Sequence, residues 1–387
     1  MNMQTGPVRM RTVVVTIAIG LLTAGGSDCR GNDPTFHVVV EQHFDRWAHG
    51  GKGVLSPDRV EELVLRKDIR GPEAAALASI HCYQRKAKQA AQQTTRAFLL
   101  TNHHEDGTLR RDQTASGGNL TINYKSFLKH IATVPRKIFA VEQPSLEGIS
   151  QGHLADCYFV AGVGAVAHLY PDHLRKLIFS RQDGSCEVRF PDGTMVRVPP
   201  LTDAQLALGS SAGNQGIWLN VLEEAAGIAR ARKVPRELAL DVIGSGGDSI
   251  FTIELLTGHK ALKELIRPHV KGTRPAPHER DVPRLADRIS HAIHDGVAHR
   301  RLVCGSVGEW PVPPGMGKWH QYAILGLKQG HVELWNPWGS NYNYTPKGAP
   351  GLEHGYPTKG GRFSMPIHDF VRIFGAVNVE SNLHVHE

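Results

Sequence analysis

The chain has 387 residues, 41% hydrophobic and 21% charged, which allows two or three domains with a sizeable core and no need of disulfide staples. The net charge of +7 is spread thinly, with no dense Lys/Arg block and no basic run interleaved with aromatics. That argues against a nucleic-acid partner and fits solvated basic faces.

The N-terminus carries Arg9 and Arg11, then the apolar run TVVVTIAIGLL, then the small residues TAGGS. A positive start, a short apolar stretch and a small-residue exit predict a secretory signal peptide over 1–28. The expected destination is therefore secreted or periplasmic. The run is short for a membrane span, so stable membrane embedding is not expected. Ser27 and Asp28 separate the small residues from Cys29, which disfavours lipid attachment there. The cysteines are Cys29, Cys82, Cys157, Cys186 and Cys304. An odd count leaves at least one unpaired, and the spacing does not choose among no, one or two disulfides. No CxxC, Cys/His zinc spacing or HExxH is present.

Residues 29–134 predict a small helical domain. FHVVVEQHFDRWAHGGKGVLSPDRVEELV reads as helix, glycine-rich loop and helix, with Ser56 as cap and Pro57 at the first helical position. The layout resembles an EF-hand: Phe44 precedes the loop, Gly53 takes the sharp turn and Leu55 the apolar position. The ligand positions, however, are Ala48, Gly50, Lys52 and Arg59. Calcium needs several carboxylate oxygens and a terminal bidentate Glu, so the motif is degenerate. GPEAAALASIHCYQRKAKQAAQQTTRAFLL predicts one long helix over 72–98. A loop over 102–120 and a helix in YKSFLKHIATV follow.

The composition shifts near Pro135, and a second domain is expected over 135–387. Residues 155–168 predict a helix, SCEVRFPDGTMVRV a hairpin and QGIWLNVLEEAAGIARA an amphipathic helix. Residues 271–284 predict a polar, proline-broken loop. RLVCGSV, HQYAILGLKQ, HVELWNPW and GRFSM predict strands, and the C-terminal His384–Glu387 a solvated tail. Helices followed by an antiparallel sheet make the fold class α+β.

QGHLADCYFVAGVGAVA places Cys157 where a polar turn meets a small-residue helix. A helix N-terminus favours a thiolate, and so does an imidazolium brought in by the fold. His320 stands just before an alternating strand, and Asn336 ends the next one in WNPWG. Two neighbouring strands can put both side chains on one side, so that the Asn336 amide oxygen orients the ring. The Gln151 amide and the backbone N–H of Cys157 are candidate donors to an oxyanion. Each residue alone has a plainer reading: Cys157 as core, His320 as structural, Asn336 as a turn residue before proline, Gln151 as solvated surface.

Taken together, the blocks resemble the calpain family of cysteine proteases. QGHLADC resembles its nucleophile signature, and GIWLNVLEEAAG, SGGDSIFTIELLTG, KWHQYAILGL with LWNPWG, and GRFSMPIHDFVRIF follow in the family's order over about 135–376. The resemblance implies a papain-like, two-lobed fold: a helical lobe carrying the cysteine and an antiparallel β lobe carrying histidine and asparagine, preceded here by the small all-α domain. It implies an endopeptidase acting on protein or peptide substrates through a thioester. Cys157 would be nucleophile, His320 base, Asn336 its orienter and Gln151 part of the oxyanion hole, with Trp338 shielding the His–Asn contact. Ala155 and Tyr158 depart from the usual Gly and Trp, though Tyr158 keeps an aromatic beside the nucleophile. No cofactor is required for this chemistry. Regulatory Ca²⁺ ligands are not identifiable, so calcium dependence stays open. The alternatives are transglutaminase-type transfer to an amine and a protease-like binding module with an impaired site. The N-terminal helices could be an inhibitory pro-segment, a docking module or a remnant.

Overall fold

Side-chain caps set the first helices. Thr35 Oγ1 accepts from Val38 N and starts α1 (Phe36–Trp47). Ser56 Oγ accepts from Arg59 N and, with Pro57, starts α2 (Pro57–Val64). The computed structural model describes residues 33–49, 53–86, 94–101, 120–231, 238–268 and 275–385. The expected signal peptide, Cys29, the loop positions Gly50 and Lys52, and almost all of the expected loop 102–120 lie outside them.

The single long helix expected over 72–98 is instead two, α3 (Gly71–Lys86) and α4 (Arg96–Thr101). The reason is Thr94-Thr95. Thr94 O accepts from Leu55 N at 2.9 Å, Thr95 bridges Val54, and Thr95 Oγ1 caps α4 by accepting from Phe98 N. A capping pair of threonines outweighs the helix-forming composition around it. This bridge joins the two interhelical connections. At the terminal position where calcium needs a carboxylate, Arg59 donates Nε to Trp47 O at 3.0 Å. A guanidinium there does not fit a cation. α5 (Leu120–Thr133) completes the helical region.

Next come α6 (Cys157–Leu169), α7 (Pro171–Leu177) and a three-stranded antiparallel sheet of β1 (Ile178–Ser180), β2 (Cys186–Arg189) and β3 (Met195–Val198). β2 and β3 form the expected hairpin, with Arg189 opposite Met195. α8 (Asp203–Leu208), α9 (Trp218–Ala231), α10 (Ala239–Ile243) and α11 (Ser249–Thr257) follow. The remainder is β4 (His259–Leu265), α12 (Val282–Ala298), β5 (Val303–Val307), β6 (His320–Lys328), β7 (His331–Trp335), β8 (Arg362–Pro366), α13 (Ile367–Ile373) and β9 (Ala376–His384). These strands form a six-stranded antiparallel sheet in the order β4-β9-β5-β6-β7-β8. The fold class is α+β, as expected.

β4 and β9 carry no clean alternation in sequence, because β9 buries polar residues that find specific partners. Asn378 Nδ2 donates to Ser249 Oγ at 2.8 Å, and Glu380 accepts from Leu302 N at 2.8 Å. His384, expected in a solvated tail, pairs with His259 in the ladder.

The sheet separates two cores. Ala323 and Trp335 are register partners and pack with α6. The pleat turns Tyr322, Ile324 and Leu334 the other way, onto Ile289 and Ile293 of α12. Burial on both faces explains why β6 reads as a nearly continuous apolar run. A Cβ at Gly164 would lie 2.5 Å from the Trp335 ring, so α6 sits directly on β7.

Helices α1 to α5 share the core that holds α6, and Thr35–Glu387 is one compact unit. Polar links reinforce the seam. Thr202 Oγ1 donates to Val64 O at 2.6 Å, and Arg136 pairs with Asp203 at 2.8 Å. His81 and Arg85 of α3 reach Asp241 of α10 at 2.9 and 3.0 Å, and Arg85 also donates to Gly244 O. No disulfide joins Cys82, Cys157, Cys186 and Cys304 to one another.

Two predictions follow from this packing. Gly164→Ala costs about 1–3 kcal/mol through overpacking against Trp335, readable as a lower urea midpoint with an unchanged m value. A chain truncated to begin at residue 135 loses its cooperative thermal transition and binds ANS, because removal of α1 to α5 uncovers the apolar wall they bury. A pro-segment that could be removed cleanly would instead leave the melt intact.

Candidate active site

α6 is buried almost all round: Tyr158 through Ala167 are core. At its N-terminal end the first residue, Cys157, reaches partial exposure. The thiol donates to Trp319 O at 3.9 Å, immediately before His320. Burial pushes the thiol up to about 11, and the negative charge of Asp156 adds to that. The N–H groups of Gln321, Tyr158 and Cys157 itself face the sulfur and pull the other way.

His320 opens β6 and is 5% exposed. Its Nε2 lies 2.8 Å from Asn336 Oδ1, and the same oxygen accepts from Trp338 N at 3.0 Å. A backbone N–H can only donate, so Trp338 fixes which end of the amide is oxygen. That in turn makes Nε2 the donor and leaves Nδ1 as the basic nitrogen. Tyr322 meets the ring edge-on at 5.0 Å, and Trp338 covers it at 4.8 Å between centroids. Burial holds His320 down to about 4, against a smaller upward pull from Asn336. Burial thus favours the neutral thiol and the neutral imidazole. Moving the thiol proton to Nδ1 would create adjacent opposite charges that stabilise each other in a low-dielectric setting.

Gln151 N donates to Pro337 O at 2.7 Å, and Ser340 N to Ile149 O at 3.1 Å, which ties the turn before α6 to the Asn336 loop. The Gln151 side chain differs from expectation. Its Nε2 donates to Leu154 O at 2.8 Å and Asp156 Oδ1 at 3.2 Å, so both amide hydrogens are already engaged. The buried Asp156 carboxylate is the stronger acceptor. The structure therefore gathers Cys157, His320, Asn336 and Gln151 in one place, with Gln151 turned inward.

Other contributors carry weak sequence signals. Trp319 has φ +50° and is 72% exposed, and Trp319 N donates to Gly308 O at 2.8 Å. Such a conformation in a bulky residue is costly and marks a constrained site. Gln321 Nε2 donates to Gly247 O at 2.9 Å while its Oε1 accepts from Ser249 N, joining β6 to the SGGDS loop. Tyr158 does not line an open pocket: its ring packs under Gly247 and its hydroxyl donates to Ile243 O at 2.9 Å. Ala155 is exposed and outside the positive-φ residues, so its methyl group needs no extra room. A separate cleft of about 500 Å³, lined by residues including Tyr170, Lys176, His259 and Arg300, shares none of these groups.

No group of three or more His, Cys, Asp or Glu stands ready to hold a metal among the described residues, and no described helix is long and apolar enough to cross a membrane. No protein-family model matches the chain, and no curated protein matches it.

The Asn336 contact has a direct electrostatic test. In Asn336→Asp, a carboxylate beside Nε2 favours the imidazolium. The His320 midpoint, followed by NMR of the ring protons, is expected to rise from about 4 into or above the ordinary histidine range. An unchanged midpoint would remove Asn336 from the role given to it.

Proposed function

We propose that the chain is an exported, calpain-like cysteine endopeptidase of papain-like fold. The observation that carries this reading is the relay from Trp338 N through Asn336 Oδ1 to His320 Nε2, with the Cys157 thiol at a helix start against the backbone that flanks His320. In the proposed reaction His320 Nδ1 takes the thiol proton and the sulfur attacks the scissile carbonyl carbon. The carbonyl oxygen becomes an oxyanion. The Cys157 N–H, first in its helix and without a partner four residues back, is one donor to it. Gln151 Nε2 is the second, once one of its hydrogens leaves Leu154 or Asp156. Imidazolium then protonates the leaving amine, a thioester remains, and water activated by His320 hydrolyses it. Trp338 keeps water from the His320–Asn336 bond. The apolar leader read over 1–28 supports export, and substrates are proteins or peptides.

The test is labelling of the purified chain with an epoxysuccinyl peptide, alongside casein cleavage with and without Ca²⁺. A single adduct on Cys157 is expected, with cleavage abolished in Cys157→Ala. Gln151→Ala should lower kcat about 10²- to 10³-fold, the usual cost of one oxyanion donor. Absence of both adduct and cleavage under either condition sinks the endopeptidase reading. Amine incorporation into a glutamine substrate, without cleavage, would replace it with transglutaminase-type transfer.

A further inference from the structure

Asp156 and Glu223 are both fully buried, at 0% exposure, directly behind Cys157. Their carboxyl groups contact each other. Asp156 Oδ1 accepts from Gln151 Nε2 at 3.2 Å, yet Asp156 Oδ2 has no N–H or other ready donor. Glu223 accepts from Ser210 N, at 3.0 and 2.8 Å to its two oxygens, and from the Ser210 hydroxyl. Two adjoining carboxylates in a dry interior repel, and the few bonds they receive replace only part of the hydration each loses. One proton between them removes the repulsion and supplies the donor that Asp156 Oδ2 lacks.

We propose that Glu223 is a neutral carboxylic acid donating to Asp156, and that this acid–carboxylate pair is the positioning element that holds Gln151 and the turn before Cys157. The proton belongs on Glu223 because Asp156 has the better support for charge. Asp156 receives the Gln151 amide and lies in the field of Arg85 from α3. The other titratable groups facing the pair are Cys157 and Tyr158 of α6 and Glu224 of α9. None of these supplies a positive charge. Burial raises both carboxyl groups, Asp156 to about 6 and Glu223 well above its usual range, in agreement with one shared proton. The network extends outward through Ser210, whose Oγ accepts from Gly152 N at 3.2 Å and whose carbonyl accepts from Asn220 Nδ2 at 2.8 Å. Nothing in this arrangement touches substrate; it acts through Gln151. When pH rises and Glu223 ionises, the two carboxylates repel and the turn that carries Gln151 loosens. The catalytic consequence rests on the peptidase reading above, whereas the protonation itself does not.

The experiment separates the two. Infrared difference spectra of the full chain at pH 7 should contain a protonated-carboxyl stretch that disappears in Glu223→Gln; Glu224→Gln identifies the contribution of its neighbour. In Asp156→Asn, which removes the negative charge, that band should vanish at a lower pH than in the parent. Glu223→Gln keeps a donor to Asp156 and an acceptor for Ser210 N but cannot ionise. Its alkaline limb in the pH profile of kcat/KM should therefore shift to higher pH, whatever its rate. Glu223→Ala, which leaves Asp156 Oδ2 without a donor, should lower kcat/KM about tenfold or more. No band lost in Glu223→Gln, or coincident pH profiles, overturns the proposal. A band that behaves as expected in a chain that cleaves nothing supports the pair and rejects the peptidase reading instead.

Discussion

The seat of α6 on the β6–β7 hairpin is the constraint on which the rest depends. It is possible because Gly164 has no side chain to hold the helix away from Trp335. With the helix that close, its first residue reaches the backbone of Trp319 and Gln321, and the strand end next to it carries Asn336. Gln151 N to Pro337 O and Ser340 N to Ile149 O then clamp the turn before α6 to the loop after β7. The thiol, the imidazole and the amide thus come from three parts of the chain, yet each is held by a rigid element or a short backbone tether.

A buried site of this kind has its electrostatics set by what it lacks. Cys157, His320, Asp156 and Glu223 all shift toward their neutral forms, since burial penalises every charge. Charge then needs a stabilising partner: an imidazolium for a thiolate, or a neutral carboxylic acid for a carboxylate. The inward turn of Gln151 belongs to the same picture. Its amide serves the buried carboxylate of Asp156, so in the proposed reaction donation to an oxyanion competes with support of the turn.

The helical region is structural to this arrangement. α3 sends His81 and Arg85 to α10 and to Gly244, at the edge of the loop that covers Tyr158. Its apolar faces also wall the same core as α6. A degenerate helix–loop–helix that carries Arg59 where a cation would need carboxylate is here a packing and bracing unit.

The sequence by itself determined the α+β order, the β2–β3 hairpin and the strands β5 to β8, and it singled out Cys157, His320, Asn336 and Gln151 as candidates. Those rest on local information: a turn before a small-residue helix, alternation along a strand, an Asn-Pro at a strand end. It misled where local propensity met a long-range partner. Thr94-Thr95 broke an expected helix by bridging Val54 and Leu55, and β9 hid its burial behind Asn378 and Glu380, polar residues satisfied by distant groups. Only the tertiary structure decided that the helical region shares the core of the α6 lobe, that Tyr158 packs inward, that Gln151 faces Asp156, and that Asp156 meets Glu223. Each depends on which side chains a fold brings together in a dry interior, and the free energy of a buried polar group is set by those neighbours rather than by its position in the chain.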